Sequence, residues 1–194
     1  MKLALIVPGS ISETMVNVAN NPWLMSVNIL GEMITAAGII FLGAILFIVL
    51  RKQNEEMALV GLGLYVLEAA LLAASRIAGF SLLRISQEYV TAGRPAFLET
   101  MGNLAIGFMS SGYTLLMVPC GLGAILFYWL LYRSRVIPRV LSLWGAVTIA
   151  VALGATIATI FGCEVPFAVY LPYVPFEFVA GTWILVRGLS EREA

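Results

Sequence analysis

The sequence contains no histidine, and this absence removes several kinds of active site at once. Imidazole is a common ligand of catalytic zinc, and it is the general base of the serine and cysteine hydrolase triads. The only two cysteines, Cys120 and Cys163, lack a metal-ligand spacing, and we predict that both are free thiols. We therefore expect no bound metal and no cofactor. No set of catalytic residues is apparent, so an enzyme is the least favoured class of function.

Charged residues are also scarce, because they make up 11% of the chain while hydrophobic residues make up 61%. Soluble domains contain about 25% charged and about 45–50% apolar residues. Eleven basic and 11 acidic residues balance to a net charge of zero without a basic tract, which argues against a nucleic-acid partner. The excess of apolar surface must face something other than water, and we expect the lipid bilayer as its partner.

Five apolar runs separated by short polar stretches predict the architecture. Each is close to the roughly 20 residues that one membrane-spanning helix needs. We therefore predict an all-α integral membrane bundle of about five transmembrane helices, forming one domain over residues 1–194. In the polar stretch after the second run, Pro95 is predicted to begin a short amphipathic helix on the outer side. The predicted spans are residues 24–50, 57–83, 112–132, 140–161 and 170–187.

The basic residues predict an orientation, since short cytoplasmic loops are enriched in lysine and arginine. Five helices in series bring all three basic clusters to one face, which we therefore assign to the cytoplasm. The protein is expected in the cell membrane with its N-terminus outside and its C-terminus inside. The middle cluster chiefly determines topology and could secondarily bind lipid headgroups or a partner. The clusters are Arg51 with Lys52; Arg133, Arg135 and Arg139; and Arg187 with Arg192.

Three stretches of this sequence resemble one family of multi-pass membrane proteins. The longest is GLGAILFYWLLYRSRVIPRVLSLWG, residues 121–145, in which a glycine-rich span ends in a tyrosine-arginine-serine turn. The others are YVLEAALLA around Glu68 and the ending PFEFVAGTWILVRG. The chain is identified on these motifs as similar to the bacterial and archaeal family named domain of unknown function 4386. The resemblance implies a helical membrane fold over nearly the whole chain and implies no particular activity.

Two glutamates fall near the middle of predicted spans, where ionisable residues are costly and therefore candidates for function. Glu68 follows Met57 by eleven residues and Glu177 precedes Arg187 by ten, so counting along the helices puts both near the midplane. A shared site would bind a proton, a cation or an amine, and Pro172 and Pro175 before Glu177 would interrupt its helix. The alternative is that each glutamate is protonated and hydrogen-bonded to a neighbouring helix without any ligand.

A second pair of ionisable residues falls near the outer boundary. Glu32 precedes Arg51 by nineteen residues and Arg76 follows Met57 by nineteen, on consecutive antiparallel helices. We predict a structural ion pair, with Asn28 one turn away able to complete the network. A polar binding site at these two residues is the less favoured alternative.

Small residues mark possible helix contacts. Ala150, Gly154 and Ala158 recur every four residues, and Gly121 with Gly123 form a weaker set. Such ridges let helices approach closely, either within the chain or with another subunit or copy. The sequence thus favours a non-catalytic accessory or structural subunit of a membrane complex. The alternative is a small transporter or ligand-binding bundle that uses Glu68 and Glu177.

Overall fold

The computed structural model describes residues 5–187, except for the side chains of Glu177, Ile184, Leu185 and Arg187. This range is helical and contains no strand, so the predicted all-α fold is confirmed. A short 3-10 helix, η1, covers Phe167–Tyr170. The α-helices are α1 (Ile11–Asn20), α2 (Pro22–Leu50), α3 (Glu55–Thr91), α4 (Ala96–Ser134), α5 (Arg139–Ile160) and α6 (Tyr173–Arg187).

Four of these helices, α2 to α5, are long and apolar enough to cross a membrane. They contain the first four predicted spans, except for Phe161, which follows the end of α5. Helix α6 has 15 residues, which gives a length of about 22 Å at 1.5 Å per residue. This is shorter than a hydrocarbon core of about 30 Å. A fifth span over residues 170–187 therefore stays a prediction.

Helices α3 and α4 are longer than the apolar runs that predicted them. They have 37 and 39 residues, or about 55 and 58 Å. The stretch after Pro95 is thus the start of α4 itself and not a separate short helix. The reason is visible in the burial pattern, because Ser86 and Tyr89 on α3 and Leu98 and Ala105 on α4 continue one buried face beyond the apolar runs.

The short amphipathic helix is instead α1. The side chain of Ser10 caps it by accepting a hydrogen bond from the backbone N–H of Glu13, at 3.3 Å. Its buried face carries Thr14, Met15 and Val18. Serine followed three residues later by glutamate is the sequence pattern of a capped helix start.

Two of the connections show how one long helix gives way to the next. After α2, Asn54 accepts a hydrogen bond from the backbone N–H of Met57 at 2.9 Å, which caps the start of α3. After α3, Gly93 has a φ of +80°, and the following Arg94 has a φ of 63°. Glycine adopts such left-handed conformations without steric cost, so it suits the tight turn into α4.

The chain divides into two compact units, and α2, α3 and α4 each contribute a part to both. The first unit comprises residues 5–37 and 69–113. One of its apolar clusters includes Val18, Met25, Leu82 and Ala105. Another consists of Met15, Tyr89 and Leu98, and it attaches α1 to the ends of α3 and α4.

The second unit comprises residues 38–68 and 114–187. Its core is rich in aromatic side chains, and Tyr65 meets Phe127 edge-on with ring centroids 5.1 Å apart. Phe176 meets Tyr128 in the same way at 5.1 Å. Glycines permit these contacts, because a Cβ at Gly123 would lie 2.8 Å from Tyr65 Cδ1.

Candidate functional site

Glu68 belongs to the second unit and is buried, with 8% of its surface exposed. It takes part in a polar interaction within the protein. Gly61 packs on Phe127, and Gly123 packs on Leu64 and Tyr65. These antiparallel contacts put Glu68, about one turn beyond Tyr65, level with residues 119–120 of α4.

A proline occupies this level of α4. Pro119 lies inside the helix and is buried. Proline has no backbone N–H, so the carbonyl group of Leu115 loses its usual helical donor. The side chain of Glu68 is therefore level with a missing backbone hydrogen bond in α4. The sequence analysis of Glu68 did not take this proline into account.

The backbone of Glu177 lies in α6, while its side chain is outside the described residues. The preceding residue, Phe176, packs on Gly145 of α5. By contrast, Gly121 of α4, which is close to the level of Glu68, packs on Leu153. Gly145 and Leu153 are eight residues apart on α5, which corresponds to about 12 Å. A site shared by Glu68 and Glu177 would have to span this separation, and it stays a prediction.

Arg76 belongs to the first unit and is one of its most buried polar residues, with 5% of its surface exposed. Its Nε and Nη2 atoms donate hydrogen bonds to Ser75 Oγ at 3.2 and 3.0 Å. Ser75 Oγ in turn donates to the backbone carbonyl of Leu72 at 2.7 Å. The guanidinium carbon lies 5.8 Å from the centre of the Tyr113 ring, in a cation–π arrangement.

Glu32 lies on α2 in the same unit and is half-buried. Gly79 packs on Met25, and this contact puts Glu32 level with Leu72, about one turn from Arg76. Tyr113 of α4 lies beside Arg76 through the cation–π contact. The predicted ion pair of Glu32 with Arg76 stays a prediction, and the sequence analysis missed the contact of Arg76 with Tyr113. Its signal was a tyrosine at the start of an otherwise apolar run.

The middle basic cluster, Arg133, Arg135 and Arg139, is exposed. Arg135 has a φ of 56° in the turn between α4 and α5. Arg139 lies over the ring of Tyr132 with 5.3 Å between the guanidinium carbon and the ring centre. Because the three arginines are exposed at the helix ends, they are accessible to lipid headgroups or to a partner, as their predicted roles require. Those roles stay predictions.

The two sets of small residues differ in where they face. Gly121 packs inside the chain, since a Cβ there would lie 3.0 Å from Leu153 Cβ. Ala150 and Gly154 are exposed, and a Cβ at Gly154 would meet nothing within 4 Å. Ala158 is half-buried. The stripe on α5 is therefore not occupied by another helix of the same unit.

Among the described residues, no group of three or more cysteine, aspartate or glutamate side chains is arranged to hold a metal ion. Four helices of spanning length in an all-α fold define a multi-pass membrane protein. The chain belongs to the family described as domain of unknown function (DUF4386), whose model matches residues 2–188. The family resemblance of the sequence motifs is thus confirmed. No curated protein and no solved structure matches the chain.

Proposed function

We propose that the protein is a non-catalytic membrane subunit that associates with another membrane helix through the exposed small residues of α5. The observation that carries this proposal is the exposure of Ala150 and Gly154. Val147, Val151 and Ile157 beside them are also exposed, so the two small residues form a notch between larger side chains. Lipid tails give little hydrophobic drive for helix association, which depends instead on close packing at such notches.

The inward-facing side of α5 supports this assignment by contrast. There Gly145 and Leu153 are buried and pack on Phe176 and Gly121 of the same unit. Helix α5 is therefore closely packed against its own unit on the inner face, and it carries an unfilled notch on the outer face. A helix of a second copy or of a different subunit would fill that notch.

Cross-linking in native membranes tests the proposal. Ala150→Cys, in a chain with Cys120→Ser and Cys163→Ser, should form a cross-linked species whose mass distinguishes a second copy from another protein. Gly154→Leu should abolish the species without unfolding the chain, because the added side chain meets open space. Gly63→Leu is the matched control, since Gly63 is an exposed glycine on α3 with equally open surroundings.

The control variant should keep the cross-link. A cross-link that survives Gly154→Leu, or the absence of any cross-link from Ala150→Cys in native membranes, would contradict the association.

A second candidate function is favoured by the buried Glu68. In this alternative the protein is a small transporter or ligand-binding bundle that holds a proton, a cation or an amine at this carboxyl group. This alternative is supported by the burial of Glu68, an ionisable residue, at the level of Pro119 in α4. Glu68→Gln should then lose binding of a labelled amine while leaving the association through α5 intact, which separates the two functions.

A further inference from the structure

We propose that Arg76 holds the oxyanion headgroup, a carboxylate or a phosphate, of an amphiphilic molecule that enters from the membrane. The guanidinium group has five N–H donors. The two recorded hydrogen bonds, from Nε and Nη2, go to the same oxygen atom of Ser75. Within the described residues, the Nη1 donors have no acceptor.

Two of the three unused donors lie on one edge of the guanidinium group. Nε–H and one Nη2–H point along the side of the group, and this edge is taken by Ser75 Oγ. Nη1–H and the second Nη2–H point together from its end. Two parallel N–H groups of this kind match the two oxygens of a carboxylate or phosphate.

A buried guanidinium group in a membrane-spanning helix needs an acceptor for these donors. An arginine in the hydrocarbon region is costly unless it is paired or solvated. The described polar side-chain atoms that are both unpaired and completely enclosed are Ser86 Oγ and Ser142 Oγ. Arg76 Nη1 is not one of them, so this atom is not completely enclosed even though the residue is 95% buried.

Glu32 is the acidic residue that the sequence predicted as the partner of Arg76, and it does not fill this position. It lies about one turn away along the helices, and among the described residues Arg76 makes no hydrogen bond to it. This half-buried acidic residue lowers the net positive charge around Arg76, so we expect a single anion to bind there.

The surroundings indicate that the molecule is an amphiphile. Tyr113, whose ring faces the guanidinium group, is 41% exposed, and Ile77 beside Arg76 is 70% exposed. Both belong to apolar stretches of helices that span the membrane. A molecule approaching this surface needs an apolar tail in contact with lipid and a single anionic group to reach the free edge of Arg76.

Binding to the purified full chain in neutral detergent tests the proposal, with bound molecules counted by native mass spectrometry. The probes are dodecanoate and phosphatidylglycerol, which distinguish a carboxylate from a lipid phosphate, with dodecanol and inorganic phosphate as comparisons. We expect one molecule of at least one amphiphilic anion to bind saturably, and no saturable binding of dodecanol. Arg76→Lys should weaken binding at least tenfold, because an ammonium group cannot offer two parallel donors.

Two further variants keep the test decisive. Arg84→Gln should bind as the parent does, since Arg84 is an exposed arginine two turns further along α3 that contacts Phe80. Glu32→Gln should bind severalfold more tightly, because it removes a nearby negative charge, and it serves as the readout if Arg76→Lys does not fold. The proposal is overturned if the parent binds neither amphiphilic anion, if only inorganic phosphate binds, or if binding appears only in Glu32→Gln, which would mean that Glu32 occupies the free edge.

Discussion

The ring of Phe176 lies against Gly145, in the space that the side chain of any other residue at that position would occupy. A Cβ atom built on Gly145 would be 2.8 Å from Phe176 Cε2 and 2.9 Å from Cε1. Phe176 is almost completely buried and also contacts Tyr128 and Trp144, with ring centroids 5.1 and 5.9 Å away. This contact attaches the beginning of α6 to α5.

Gly145→Ala should therefore destabilise the second unit. The added methyl group overlaps an aromatic ring that is enclosed by other rings, and overpacking of this kind costs about 1–3 kcal/mol. The measurement is the free energy of unfolding in mixed micelles with increasing SDS. Gly154→Ala is the matched control on the same helix, and it should change stability little because its surroundings are open. Equal effects of the two substitutions would show that Phe176 does not pack on Gly145.

A hydrogen-bonded tyrosine should hold α1 in place. The hydroxyl of Tyr89 donates to Glu99 Oε1 and shares a hydrogen bond of 2.9 Å with Ser12 Oγ on α1. Tyr89→Phe removes both interactions from a buried position, and we expect a loss of about 1–3 kcal/mol in the stability of this contact. Cleavage after the exposed Glu13 by a glutamate-specific protease should become faster, since the local opening of α1 becomes easier.

Ser12→Ala is the comparison for this prediction. It removes only the hydrogen bond between α1 and Tyr89, so its cleavage rate should lie between those of the parent and Tyr89→Phe. A Tyr89→Phe protein that is cleaved as slowly as the parent would show that apolar packing of Met15 and Leu98 alone holds the helix.

The cores of the membrane helices could be predicted from the sequence, but their ends could not. Apolar runs report the length of helix in contact with lipid, and residues 57–83 indeed lie within α3. The helix then continues to Thr91 because Ser86 and Tyr89 stay buried against α1 and α4, which a run of apolar residues does not reveal. The start of α1 carried a readable signal in Ser10 and Glu13, since serine and glutamate three residues apart typically begin a helix.

The candidate sites illustrate a different limit. Counting residues from the helix ends predicted that Glu68 and Glu177 have the same depth, because it assumes that each helix crosses the membrane straight from one boundary. The contact of Phe176 with Gly145 gives the register of α6 against α5, which counting along the sequence cannot supply, and the shared site stays a prediction. For Arg76, the contact with Tyr113 could not be identified without the third helix.

The orientation in the membrane is testable with a thiol that the protein already contains. Cys163 is free and exposed beyond the end of α5. With Cys120→Ser, Cys163 should react with a membrane-impermeant maleimide on intact cells, because the basic clusters predict that this end lies outside. A thiol introduced by Gln53→Cys into a chain with both native cysteines replaced should react only after the cells are lysed. The opposite pattern would reverse the predicted orientation.

The last prediction concerns what Glu68 contributes to stability. The carboxyl group is buried and makes a polar interaction, and in such surroundings a neutral acid is far less costly than an unpaired carboxylate. Glutamine has nearly the same volume and offers both a donor and an acceptor, as the neutral acid does. Glu68→Gln should therefore change the free energy of unfolding in SDS by less than about 1 kcal/mol, whereas Glu68→Ala, which removes the polar group and leaves a cavity, should cost about 2–4 kcal/mol. If Glu68→Gln were as damaging as Glu68→Ala, the native side chain would have to be an ionised carboxylate held by a positive partner, and the second candidate function would lose its exchangeable proton.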